Sequence, residues 1–221
     1  MKKAGSLGIL RISIVIVAFA VLGGCGVPFA LVEENYKVKP GTLAVASGTN
    51  NEACNRLAEL LTQELKQRST FRVMSQEEIG RRAPGYPYAL MKESAPSLDN
   101  KNPAWVSPGN KGRIDALQAQ LKTDYLFVVW GENLGRMVTT TYNQHGGANT
   151  RVSYHIDVYG RLVEYPKSKA IGYSQFHGSK GQSCCFLFRS EGEDIDIMLK
   201  NSAEKIAGKF LDITKTEKPG K

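Results

Sequence analysis

The chain has 221 residues and a formal charge of +8, with 42% hydrophobic, 23% charged and 9% aromatic residues. That length suits one ordinary domain, and the composition excludes a collagen-like chain, a disordered acidic tail and a polytopic membrane protein. The one long apolar run lies at the extreme amino terminus. Lys2, Lys3 and Arg11 precede it, and from Ile12 to Leu22 only Ser13 interrupts it. A spanning helix needs about 20 apolar residues, so a shorter run behind a basic flank reads as a secretory signal peptide.

The run ends in Leu22-Gly23-Gly24-Cys25. A Leu, two small residues and a Cys in this order resemble the lipobox of bacterial lipoproteins. The resemblance implies cleavage after residue 24 and a covalent lipid on Cys25, with palmitate as its usual acyl chain. Two or more chains anchor a protein stably where one does not, since each buried methylene contributes about 0.8 kcal/mol. Gly26 stands where an Asp would resemble an inner-membrane retention signal, so the expected address is the outer membrane, facing the periplasm. Residues 1–24 hold three of the 29 basic residues and none of the 21 acidic ones, which leaves a processed chain of charge +5. The scattered positive charge suits anionic lipids, and a secreted address argues against a nucleic-acid partner.

With Cys25 lipidated, Cys54, Cys184 and Cys185 remain, in a compartment that permits disulfides. Adjacent residues of an extended segment point to opposite faces, so only one of Cys184 and Cys185 can meet Cys54. A bridge from Cys54 to one of them and an unbridged Cys54 buried in a helix face both fit the pattern. No Cys-x-x-Cys occurs, and the histidines are His145, His155 and His177, so no metal site is expected.

Residues 25–40 read as the lipidated Cys and a short tether, and 41–214 as a single α/β domain. Thr42–Ala46 (TLAVA) reads as a buried strand. Thr49 to Glu52 has the spacing of a capping box. Behind it Cys54, Leu57, Leu61 and Leu65 keep helical periodicity. Phe71–Met74 predicts a second strand, and Ser75 to Glu78 a further capping box with a short helix. Strand, helix and strand in this order imply a parallel crossover.

Residues 83–112 change character, with five of the nine prolines together with Tyr86, Tyr88 and Trp105. This long loop is a candidate partner-binding surface, because Tyr and Trp offer large contact area at low entropic cost. The competing reading is that the aromatics staple the loop to its own domain. Ile114, Leu117 and Leu121 mark another helix, and Tyr125–Trp130 (YLFVVW) a central strand. Met137–Tyr142 and Val152–Tyr159 read as a hairpin around Gly146-Gly147, with a further strand at Ala170–Phe176. Gly178–Gly181 reads as a turn. Ser190 and Glu193 form a third capping box, opening a helix with Ile195, Met198, Ser202, Ile206 and Phe210 on one stripe. Residues 215–221 are a polar tail. The expected fold class is therefore α/β, a mixed sheet with a parallel βαβ start and a later antiparallel meander, covered by helices.

Catalytic signatures are sparse. No Gly-x-Ser-x-Gly elbow appears. His155 and Asp157 share a strand face with Ser153 and Tyr159, which permits a His/carboxylate pair, although such a row is more often a polar sheet surface. The rival to a binding role is an envelope hydrolase built on that pair. No cofactor is expected apart from the lipid on Cys25.

The order TLAVA, Asn-rich turn, long helix, FRVMS and YLFVVWG resembles the periplasmic α/β domain shared by the curli-secretion lipoprotein, the amino-terminal domain of the Tol β-propeller protein and the lipoprotein activators of penicillin-binding proteins. That resemblance spans residues 40–213. It implies a non-enzymatic module that binds envelope proteins or self-associates, or a ring-forming export component. The secretion-channel member lines its pore with amphipathic hairpins. Here the second arm of the hairpin from Arg136 to Arg161 alternates as a barrel strand does, but the first does not, so a pore is not expected.

Overall fold

The computed structural model describes residues 26–92, 104–142, 144, 147–166, 169–183 and 190–214. The signal peptide, Cys25, Cys184, Cys185, His145 and the tail lie outside the described residues. The elements are β1 (Gly26–Leu31), β2 (Thr42–Ser47), α1 (Glu52–Arg68), β3 (Arg72–Val73), α2 (Gln76–Arg82), α3 (Pro108–Leu121), β4 (Tyr125–Tyr142), β5 (Ala148–Glu164), β6 (Lys169–Ser183) and α4 (Glu191–Thr214). One six-stranded sheet runs in the order β1-β6-β5-β4-β2-β3. β2, β3 and β4 are parallel, while β4, β5, β6 and β1 are joined antiparallel. The mixed α/β sheet expected from the sequence is the one observed.

Alternation along the strands divides the core in two. Leu43, Val45, Phe127, Val129, Ile156 and Val158 face α1 and α4. Ala44, Ala46, Leu126, Val128, Trp130 and Val163 face α2 and α3. Both faces of the central strands are thus covered, which is why TLAVA and YLFVVW are continuous apolar runs rather than alternating ones.

Helix starts follow their side-chain caps. Asn51, not Thr49, caps α1, accepting the Cys54 N–H at 2.8 Å, while Thr49 Oγ1 accepts from Asn51 itself at 3.1 Å. Asn and Thr compete for this position and the carboxamide oxygen reaches the free N–H groups directly. Ser75 caps α2 as expected, although Glu78 turns to Arg82 rather than back to the cap. At α4 the box closes both ways: Ser190 N–H donates to Glu193 at 2.9 Å and Glu193 N–H to Ser190 Oγ at 3.3 Å. The 83–112 loop is shorter than its prolines imply, because Ser107 caps α3 and Pro108 occupies its first turn. There a missing N–H costs nothing.

The other departures are in the strands. The stretch read as a tether carries β1, which pairs with β6 from Gly26 opposite Phe176 to Leu31 opposite Gly172. Phe29 is fully buried, edge-on to Phe127 and Phe210 at 5.6 and 5.2 Å. Gly172 makes room for it, since a Cβ there would stand 2.7 Å from Phe29 Cζ. The Tyr125–Trp130 strand and the Met137–Tyr142 arm are one strand, broken in phase by a bulge between Glu132 and Gly135. Gly178–Gly181 is not a turn but part of β6.

Because Phe29 completes the aromatic cluster beneath α4, Phe29→Ala should lower unfolding free energy by about 3–5 kcal/mol. Urea denaturation of the two proteins checks this, and a tether residue would show almost no change.

Candidate functional site

β2 ends at Ser47 beside Val129 of β4, at the end of the sheet where α1 and α4 also begin. The sequence of β2 through α1 to β3, then back across to β4, makes this a switch in winding direction, the usual place for a crevice in such sheets. A cavity of about 520 Å³ lies there, lined by Cys54, Gly131, Leu134, Ile156, Ile195 and Leu199 among others. Arg56 and Asp196 close its rim at 2.6 Å and join α1 to α4. That bond holds Asp196 below the usual carboxylate range and raises Arg56 further.

Cys54 is a buried free thiol. Its Sγ accepts the Gly131 N–H at 3.1 Å and lies 3.5 Å from the Gly131 carbonyl oxygen, to which it donates. Cys184 and Cys185, the other candidates for a bridge, lie outside the described residues.

The three candidate partner-binding aromatics occupy different settings. Tyr86 is half-buried, and its Oη accepts the Ser47 N–H at 2.7 Å, so it secures the loop to the end of β2. Burial, only partly opposed by that hydrogen bond, pushes its hydroxyl up to about 12. Tyr88 stands edge-on to Tyr86 at 6.1 Å, and burial raises its hydroxyl as well. Trp105 is 47% exposed, while its carbonyl accepts from Arg161 Nε at 3.4 Å. Arg161 is itself fully buried, 5.5 Å over the Trp130 ring, and donates to the Gly160 carbonyl at 2.7 Å. Desolvation draws it down to about 10.

On the face of the sheet beyond α2 and α3, β4, β5 and β6 continue outward. The expected pair His155 and Asp157 is not joined directly. Asp157 Oδ1 meets His177 Nδ1 at 2.9 Å, and Oδ2 accepts from Asn133 Nδ2 at 2.7 Å. His155 stacks on His177 instead, with ring centroids 5.7 Å apart. His177 escapes sequence reasoning because the apolar run ends at Phe176, one residue short. Its only signal is cross-strand register, which sets it opposite Asp157. Asn133 reaches Asp157 because the bulge holds it at φ 53°, a conformation Asn tolerates better than most residues. Gly135 leaves space for His155, since a Cβ there would fall 2.5 Å from Nε2. An open cavity of about 620 Å³ is lined here by Met137, Thr139, Arg151, Ser153, His155, His177 and Ser179. Among the described residues, no three side chains of ligating type converge on a metal position.

No family model and no curated protein matches this chain. Among solved structures, it is similar to the PelC dodecamer from Paraburkholderia phytofirmans, with 10% identity over 89% of this chain and 99% of that one, and a TM-score of 0.39. Lipoprotein GNA1162 from Neisseria meningitidis shares 12% identity over 76% of this chain and 99% of its own, with a TM-score of 0.38. CT253 from Chlamydia trachomatis shares 13% over 80% and 99%, also at 0.38.

Asp157 is desolvated, yet the hydrogen bonds from Asn133 and His177 outweigh burial and hold its carboxyl below the ordinary value. A carboxyl depressed in the folded state stabilises the fold above its unfolded pKa of about 3.9 and loses that contribution as pH falls through the folded value. Asp157→Asn should therefore flatten the loss of stability below about pH 4, measured by urea unfolding across pH 3–6. An unchanged acid limb would show that Asp157 carries none of it.

Proposed function

We propose that this chain is a lipid-anchored protein of the bacterial cell envelope, held at the outer membrane facing the periplasm, that works by binding other envelope proteins rather than by catalysis. The observation carrying this reading is the ordered signal of basic flank, short apolar run and Leu22-Gly23-Gly24-Cys25. The fold supports the same reading, because a strand of the sheet already runs from Gly26, the residue after that cysteine. A lipid on Cys25 would hold the body close to the bilayer rather than on a long leash.

The polar side chains fit binding better than chemistry. A hydrolase needs a nucleophile beside a base that a third group orients. Asp157 does orient His177, but among the described residues no hydroxyl or thiol hydrogen-bonds to the imidazole of His177 or His155, and the thiol of Cys54 is enclosed against Gly131. Trp105 is the best contact residue of the loop. Its indole is exposed while its backbone is fixed by Arg161, so little ordering entropy is lost when it docks. Tyr86 serves the fold first, and Tyr88 leans on it. Self-association is a second mode of protein binding open to the same surface.

Cys25→Ser should abolish incorporation of labelled palmitate in cells and release the protein from the membrane fraction. Retention and labelling as before would refute the anchor. Trp105→Ala should leave the thermal midpoint unchanged and cut recovery of crosslinked envelope partners by roughly tenfold or more, read by mass spectrometry. Tyr86→Ala should destabilise the fold as well, so only the Trp105 variant separates binding from folding.

A further inference from the structure

The outer part of the sheet has a composition unlike the body. Among the described residues, β2 pairs with β4 as far as Val129 and β1 pairs with β6 as far as Phe176. Beyond those points, among the described residues, β4, β5 and β6 continue alone as a three-stranded ribbon. From Phe176 to Ser183 it extends about 23 Å, at roughly 3.3 Å per residue. Among the described residues, four of the eight exposed large hydrophobic ones sit on its first strand: Leu134 at 45%, Met137 at 56%, Val138 at 52% and Tyr142 at 77%. Past the bulge the ribbon's charged side chains are Arg136, Arg151 and Lys180, while its acidic groups, Glu132 and Asp157, are paired across the strands at its base. A soluble surface ordinarily mixes both signs and scatters its apolar groups.

Direction decides what this ribbon meets. β1 runs antiparallel to β6, with Gly26 opposite Phe176 and Leu31 opposite Gly172. The chain therefore joins the sheet from the ribbon's end, and Cys25 is one peptide unit, about 3.8 Å, before Gly26. We propose that the ribbon is a second membrane contact, lying with one face along an anionic phospholipid surface, Arg136 and Lys180 on the phosphates and Val138 and Tyr142 in the interface. This rests on the lipid anchor proposed above. The contact is interfacial and not spanning. Strand alternation puts Arg136 and Lys180 on one face and Arg151 on the other, and a barrel wall requires one face that is apolar throughout. Basic and apolar groups together, beside a covalent lipid, match the combination by which peripheral proteins hold anionic bilayers.

The test is hydrogen exchange on the processed full-length lipoprotein, reconstituted into phosphatidylglycerol/phosphatidylethanolamine vesicles or into phosphatidylcholine vesicles. Amides of 133–142 and 148–155 should exchange at least about fivefold more slowly on the anionic vesicles, charge attraction being the discriminating contribution. The difference should vanish in 0.5 M salt (Debye length roughly 4 Å) and in the Arg136→Gln, Lys180→Gln double variant, whose near-ultraviolet circular dichroism should match the parent, whereas Arg151→Gln alone should keep it. Equal exchange on both vesicles overturns the inference. So does slowing that appears in detergent alone and grows with protein concentration, which would make a second copy the occupant. Protein that floats with vesicles but shows no slowing refutes the ribbon contact alone, whereas protein that does not float refutes the anchor and this inference with it.

Discussion

The alternation of side chains along β4 and β5 is the constraint on which the rest depends. A strand buried on two faces has no freedom of register, because a slip of one residue exchanges every side chain between layers. Here such a slip would drive Leu126, Val128 and Trp130 into the layer under α1 and α4, and Phe127 and Val129 into the other. The pairing of Tyr125 with Glu164 through Trp130 with Tyr159 is therefore fixed by burial, and the neighbouring strands inherit it. Trp130 stacked on Tyr159 at 5.5 Å, with Arg161 over its ring, seals one side of that register.

The bulge between Glu132 and Gly135 is where the phase breaks. An extra residue on one strand reorients the side chains beyond it. It sets Gly135 opposite His155, where a larger residue would strike the imidazole, and turns the Asn133 amide onto Asp157. The body of the sheet ends there and the polar, basic extension begins. Cavity, helix starts and extension all occupy that same end, so the molecule has one chemically differentiated pole.

The same physics separates the parts of the molecule that are legible in the amino-acid sequence from those that are not. Runs buried on both faces, such as Thr42–Ala46 and Tyr125–Trp130, announce themselves, and so do helices with a single stripe. Reading β4 as two pieces is the natural error, since a phase slip at Asn133 and Leu134 ends one alternation and starts another. β1 escapes notice because Gly26 to Leu31 is short and precedes a polar stretch, and its burial comes from Phe210 and Phe127, remote in sequence. The polar cluster is half visible: Asp157 and His155 share a face within one strand, but the groups that bind Asp157 come from β4 and β6. Cross-strand partners are a property of register, which local pattern does not encode. The loop aromatics show the converse, since Tyr86 lends its hydroxyl to Ser47 and only Trp105 remains outward.

The placement of β1 has a mechanical consequence. Were the chain held at a surface by its first residues, as proposed, any drag on its body would pass through the strand nearest the tie. With β1 lying along β6, tension applied at Gly26 parallel to the strand strains the hydrogen bonds of that ladder together, in shear, instead of opening them one after another. Phe29, wedged over Gly172, acts as a peg against sliding. The edge strand thus resists a lengthwise tug far better than a sideways peel.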